Sequence, residues 1–225
     1  MPQPTTWPEV DTFERHWRWR PDWTQDRTCL YWYLTFEDHP DAAAVAARAV
    51  GRLGELPGID RVPPRWLHLT LCDIGFLDEI EIGQLERLVE EVAGALSRQQ
   101  PLSLTLGPVL PFSDSVTLAA EPADQLAGLW CRVAAAMKSV GVEPRHHPVE
   151  HFRPHVTLGY VNQRVESHRV VAALGDPWAS QGVTVDRLTL AAVGRRDGHY
   201  QWDCGAVIPF GDNGASRSTG SESTP

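Results

Sequence analysis

The pattern His-x-Thr-Leu occurs twice, as His68-Leu69-Thr70-Leu71 and as His155-Val156-Thr157-Leu158, at the same place in a repeated order of elements. Each half of the chain reads strand, helix, strand carrying the histidine, helix, strand. This internal repeat constrains the fold more than any single motif, because repeated units bury their apolar faces against one another.

The elements follow from hydrophobic periodicity. Cys29 to Phe36 is a continuous aromatic and β-branched run that predicts a buried strand, and after Asp38-His39-Pro40-Asp41 an alanine-rich helix extends to about Leu56. A strand at Trp66 to Asp73 carries His68. Leu85, Leu88, Val89, Val92 and Leu96 recur at helical spacing, and Pro101 opens a strand through Leu106. In the second half a strand is expected at Ser115 to Ala120. The next helix presents Leu126, Leu129, Trp130, Val133, Met137 and Val140 on one face, with Gly141 as its cap. Pro154 to Val161 is a strand carrying His155, and Arg164 to Leu174 a helix. Val183 to Val193 and Tyr200 to Ile208 form a terminal hairpin around Arg196-Asp197-Gly198.

Outside the repeat the composition changes. Residues 1–27 form an arm rich in Trp and Arg, with a short helix expected around Phe13 to Trp19. Its Trp7, Trp17, Trp19 and Trp23 are costly to leave in water, so they are expected to pack on the body, with stacking on a substrate base as the alternative. Residues 28–210 hold the duplicated order of strands and helices. Residues 211–225 carry nothing to bury and are expected to be a disordered tail.

At 225 residues and 42% hydrophobic content the chain can bury one sizeable core. Twenty basic and twenty-nine acidic residues give a net charge of −9, which argues against coating long nucleic acid and leaves room for a local basic cleft at a short end. No window of eighteen apolar residues occurs, and Met1-Pro2-Gln3-Pro4 lacks the order of a secretory signal, so a cytoplasmic protein with no membrane partner is expected. Cys29, Cys72, Cys131 and Cys204 are scattered, which suggests reduced, buried thiols rather than a zinc knuckle or a dithiol site. Lys138 is the only lysine, and the residues before it cannot spell a phosphate-binding loop.

On a strand, side chains two residues apart share a face, so each motif presents an imidazole beside a hydroxyl. The imidazole exchanges a proton near neutral pH, and the threonine donates to a non-bridging phosphate oxygen. If the halves pack about a pseudo-twofold axis, a general base and a general acid flank one phosphorus atom. Breaking a phosphodiester needs that division of labour, each positioned proton transfer being worth about 100-fold to 10,000-fold, and the scheme requires no metal.

These residues resemble the 2H phosphoesterase superfamily, in particular its bacterial branch of 2′-5′ RNA ligases and cyclic nucleotide phosphodiesterases. The resemblance spans about residues 28 to 210. It is carried by His68-Leu69-Thr70-Leu71, by Arg153-Pro154-His155-Val156-Thr157-Leu158-Gly159, and by the hydrophobic strand before the first helix. It implies an α+β fold, bilobal and duplicated, with antiparallel sheets lining a central cleft and helices outside. It also implies hydrolysis of 2′,3′-cyclic or linear phosphodiesters and reversible 2′-5′ ligation, without metal, nucleotide triphosphate or other cofactor. By the resemblance His68 and His155 are catalytic and Thr70 and Thr157 bind phosphate. Arg153 serves either phosphate or a structural ion pair, since Pro154 disturbs the register between it and His155. The expected substrate is a short RNA end or a small nucleotide phosphodiester, not a long duplex, bound by a monomer.

Several residues compete with this reading. His147 and His151 would share a metal only on a helix, and Pro144 and Pro148 make their segment a loop, so no metal site is expected there. That loop, including His146, would instead shape the pocket. Lys138-Ser139-Val140-Gly141 matches the Lys-x-x-Gly of ATP-dependent ligases, but its glycine is explained as a helix cap. Alternation turns Tyr160 away from His155, into packing. Arg65, beside the first motif, is expected to join Arg153 at the phosphate. The rival function is a non-catalytic nucleotide or RNA-end binding protein using the same cleft. The matched histidines favour the enzyme, since a pure binder needs donors rather than an acid and a base.

Overall fold

In a computed structural model, residues 11–18, 22–54, 56–145, 149–174 and 180–211 are described. In chain order the elements are β1 (Thr12–Phe13), β2 (Cys29–Thr35), α1 (Pro40–Leu53), β3 (Ile59–Arg61), β4 (His68–Phe76), α2 (Ile82–Leu96), β5 (Leu102–Pro111) and β6 (Ser115–Glu121). There follow α3 (Ala123–Ser139), β7 (His155–Val161), β8 (Val165–Glu166), α4 (Ser167–Leu174), β9 (Gln181–Val185), β10 (Arg187–Arg196) and β11 (His199–Pro209). The class is α+β, as the resemblance implies.

Two antiparallel sheets carry the fold. The aromatic run of β2 is buried throughout except at Thr35 and lies inside the sheet β11-β10-β2-β4. The second sheet has the order β3-β7-β6-β5-β9. Both histidine strands sit beside the opening strand of their own half, β4 beside β2 and β7 beside β6.

The halves exchange their last strands. β5, from the first half, joins the second sheet between β6 and β9, while β10, from the second half, pairs with β2 in the first. The helices cross over as well: α1 packs on α4, β9 and β7, whereas α3 packs on α2 and β4. One helix of each repeat therefore packs on the sheet of the other, and the main apolar core draws on both sheets.

The expected terminal hairpin is two separate features. Val183 and Val185 belong to β9 in the second sheet, and only β10 and β11 pair as a hairpin, from Arg187↔Pro209 to Arg196↔His199. The turn is Asp197-Gly198, both at positive φ (50° and 75°), which is the conformation an Asp-Gly pair accepts readily. The expected helix from Arg164 begins only at Ser167, because Val165 and Glu166 pair with Phe13 and Thr12 of the arm. The described part of the arm lies on the body: Phe13 is fully buried, and Trp23 is stacked on Tyr31 and Tyr200 with ring centroids 5.9 and 5.3 Å away. Its helical part is one 3-10 turn, His16–Arg18. Trp7 and Trp19, like the tail from residue 212, lie outside the described residues. Of the cysteines expected to be buried, Cys29 and Cys72 are, but Cys131 and Cys204 are exposed. Cys131 lies on the outer face of α3, and Cys204 precedes the irregularity that interrupts the β10–β11 register.

Candidate active site

A cavity of about 320 Å³ lies between the two histidine strands, and His68, Thr70, His155, Thr157 and Arg153 all line it. The repeat is preserved here to the level of single pairs. Thr35↔His68 and Tyr33↔Thr70 in the first sheet match Ala119↔His155 and Thr117↔Thr157 in the second. Beyond the threonines both strands carry one extra residue. The register steps from Tyr33↔Thr70 to Trp32↔Cys72, passing over Leu71, and from Thr117↔Thr157 to Val116↔Gly159, passing over Leu158. The leucine that ends each motif is thus a β-bulge, and a bulge re-aims the side chains that follow it.

This overturns the expectation for Tyr160. Strict alternation turns it away from His155, but the bulge at Leu158 brings it back, and Tyr160 lines the cavity beside Thr157. Asp73, at the matching place after the bulge at Leu71, lines it too, opposite Tyr31. Neither residue was found from the sequence. The signal available was their matching position, the fifth residue after each histidine.

Both imidazoles are held in the same way. His68 Nδ1 lies 2.8 Å from the carbonyl oxygen of Trp66, and His155 Nδ1 lies 2.6 Å from that of Arg153, in each case the residue two before the histidine. A carbonyl only accepts, so each Nδ1 carries the proton and each neutral ring keeps its lone pair on Nε2. The rings differ in surroundings. His68 is 5% exposed, stacked on Tyr33 at 4.0 Å with the edge of Trp202 at 5.0 Å. Burial, with the charge of His155 adding to it, pushes His68 down to about 4 against the opposing bond to Trp66. His155 is half-buried and stacks on Phe112 at 5.7 Å. Burial also raises the Tyr33 and Tyr160 hydroxyls well above their ordinary value, and the neighbouring Thr70 and Thr157 oppose it in each case.

The sequence profile of the 2′-5′ RNA ligase superfamily matches residues 36–197. The chain belongs to that superfamily. It is the family that the paired motifs resemble. No curated protein sequence matches the chain. Among solved structures, TT0787 of Thermus thermophilus superposes with a TM-score of 0.61 at 17% identity, covering 81% of this chain and 97% of that one. E. coli LigT complexed with 3′-AMP gives 0.61 at 19% identity, covering 82% and 99%. The MHV ns2 PDE domain gives 0.52 at 9% identity, covering 74% and 99%. At these identities the likeness is one of fold.

Within this superfamily member the other expected residues separate. Arg153 is exposed at the cavity, with no ion-pair partner among the described residues. Arg65 instead lies over the Trp66 ring, 4.8 Å from its centroid, and does not line the cavity. Arg145, which sequence reasoning missed, does line it. Its guanidinium lies against Gly75, whose φ of +131° and missing Cβ leave room for it, and it pairs with Glu79 at 2.8 Å. His151 reaches the cavity from a 3-10 turn, while His146 and His147 lie outside the described residues. Lys138 stands on the last turn of α3, 3.4 Å from Glu143 and away from the cavity. Among the described residues no helix is long and apolar enough to cross a membrane.

Proposed function

We propose that this protein is a metal-independent phosphodiesterase acting on RNA ends or small nucleotides by two-histidine acid/base catalysis. Its reactions are hydrolysis of a 2′,3′-cyclic phosphate and, run between two RNA ends, reversible 2′-5′ ligation. The observation that carries this reading is the matched pair of imidazoles, each with Nδ1–H tied to the carbonyl two residues before it and the lone pair of the neutral ring on Nε2. The crystal structures of LigT complexed with 3′-AMP, ATP, NADP+ and phosphate support small nucleotides as the ligand class.

In the proposed step the phosphate lies between His68 and His155 with Thr70 and Thr157 donating to its non-bridging oxygens. His68, kept neutral by burial, takes the proton of the attacking water as the new P–O bond forms. His155 enters as imidazolium and gives its proton to the departing ribose oxygen as the old P–O bond breaks. The two proton transfers balance, and a second pair resets the histidines. One chain supplies both groups, so a monomer suffices.

The test is turnover of 2′,3′-cyclic nucleotides and of RNA with a cyclic-phosphate end, in excess EDTA and without ATP. Wild type should be active, and His68→Ala and His155→Ala should each lose at least about 1,000-fold in kcat with melting temperatures near wild type. Thr70→Val or Thr157→Val should lose about 10-fold to 1,000-fold. Near-wild-type rates in either histidine variant end the mechanism. Tight nucleotide binding with no turnover of any substrate establishes the binding-protein reading instead.

A further inference from the structure

The arm brings a third histidine to the cavity. His16 Nδ1 lies 2.9 Å from Asp114 Oδ2, and its Nε2 lies 2.9 Å from the hydroxyl of Tyr200. Asp114 stands just before β6 and Tyr200 on β11, so one imidazole joins the arm to both sheets. All three residues line the cavity, and the His16 side chain is only 11% exposed. Burial pushes the Asp114 carboxyl up, but the bond from His16, the charges of His16 and His155 and the bond from Ser115 outweigh it, and the group is held below the ordinary carboxylate range. An ionised Asp114 accepts the Nδ1–H, and the Nε2 of the same ring shares the second hydrogen bond with the Tyr200 hydroxyl. Such a relay fixes both the ring and the hydroxyl it holds.

Rings surround this relay. His16 lies 4.4 Å from Tyr160, and Trp17 packs on Tyr160 and Tyr200 at 5.4 and 5.2 Å. Tyr160 is the residue that the bulge returned to the cavity, so arm and bulge meet at one end of it. The acidic groups lining the cavity beside these rings are Asp73 and Asp114; Arg145 is held by Glu79, and Arg195 lies over the Trp17, Trp23 and Tyr200 rings without lining the cavity. Acidic groups disfavour a second phosphate there, whereas aromatic faces with fixed polar atoms suit a flat group with a polar edge. A cavity of about 320 Å³ sits at the small end of ligand sites, about 300–1,000 Å³, which suits one nucleotide.

We propose that His16, Tyr160 and Tyr200 form a nucleoside subsite, in which the arm closes the cavity around the neutral base-and-sugar part of a substrate whose phosphate lies between His68 and His155. The proposal rests on the phosphodiesterase reading for the placement of the phosphate. His16 and Tyr200 lie outside the residues 36–197 that the superfamily profile matches. His16 is a positioning residue, acting through the hydroxyl and rings it fixes.

The experiment measures binding of 3′-AMP and of inorganic phosphate by calorimetry, and steady-state turnover of 2′,3′-cyclic AMP, on the full-length protein. Tyr200→Phe keeps the ring and removes only the hydroxyl, so it keeps the test meaningful if His16→Ala fails to fold. Both variants should weaken 3′-AMP at least fivefold and leave phosphate within twofold, and KM for the cyclic nucleotide should rise more than kcat falls. Equal weakening of 3′-AMP and phosphate, no change in either, or no binding of 3′-AMP by wild type overturns the subsite. The two readings fail separately. Nucleotide-selective weakening in a wild-type-inactive protein sustains the subsite and ends the phosphodiesterase. Full turnover with a Tyr200→Phe variant that does not discriminate does the reverse.

Discussion

At the scale of single residues, the two histidines share a motif and a tautomer but not an environment. Local sequence fixes the bond from each Nδ1 to the carbonyl two residues back. Burial of His68 comes from elsewhere, from Tyr33 on β2 and Trp202 on β11, which is why the motifs were legible in the sequence and the protonation of His68 was not. That burial has a consequence for stability. The folded protein holds His68 at about 4, below its ordinary value of 6.5, so the unfolded chain binds its proton more readily. The contribution is fully present above pH 6.5 and is lost as pH falls from there through 4, amounting to about 3 kcal/mol at the acid end at 1.36 kcal/mol per pH unit. His68→Gln removes the titration. Its unfolding free energy should fall less steeply than that of wild type between pH 6.5 and 4, as measured by denaturant titration at each pH, and parallel curves would show that His68 is not held neutral. The same burial shapes catalysis. The pH profile of kcat/KM should be a bell whose acid limb lies below 6.5, both limbs belonging to the coupled histidine pair. An acid limb at or above that ordinary value would contradict it.

At the scale of elements, the apolar runs and helical spacings were legible because each element buries one continuous face. β2, α2 and α3 appear within a few residues of where periodicity places them. The bulges were not legible. A bulge is set by pairing with a partner strand, and nothing in His-x-Thr-Leu says that its leucine will be passed over. Alternation therefore placed Thr157 on the cavity face and sent Tyr160 to the wrong side. Three-residue β3 was missed for a related reason, since it is a strand only through its pairing with β7. That pairing depends on Gly159, where an added Cβ would come within 2.7 Å of Ile59 Cγ2 and 3.3 Å of the Asp60 carbonyl oxygen. Gly159→Ala should push β3 off the sheet edge at a cost of about 1–3 kcal/mol. Chemical denaturation would read the loss, and amide exchange would place it at Ile59 to Arg61. Unchanged exchange there would mean that β3 absorbs the methyl without moving. Because Gly159 directly follows the bulge, kcat should fall too if the strand shifts Thr157.

At the scale of the whole molecule, the duplication was legible and its interlacing was not. Strand exchange between β5 and β10 depends on which edges pair after both halves have formed, and local pattern carries no record of it. The consequence is functional, since a cavity between two sheets that share helices and strands holds His68 and His155 in one rigid frame. Electrostatics at this scale limits what enters. The chain carries a net charge of −9, and the guanidinium groups lining the cavity, beside the imidazolium of the proposed step, are Arg153 and an Arg145 already shared with Glu79. A polyanion is repelled at long range and finds two guanidinium groups at short range. For a single strand, log K falls with log salt at about −0.7 for each phosphate neutralised. With the His155 imidazolium added to the two guanidinium groups, RNA carrying a terminal cyclic phosphate should show a slope of about −2 or shallower, and its affinity should stop changing once the strand exceeds a few nucleotides, because the net charge of −9 repels further phosphates. Fluorescence anisotropy of end-labelled strands of increasing length, titrated at several salt concentrations, measures both. A slope of about −7 would require about ten neutralised phosphates, a footprint that neither a 320 Å³ cavity nor its two arginines can supply, and the short-end substrate would have to be given up.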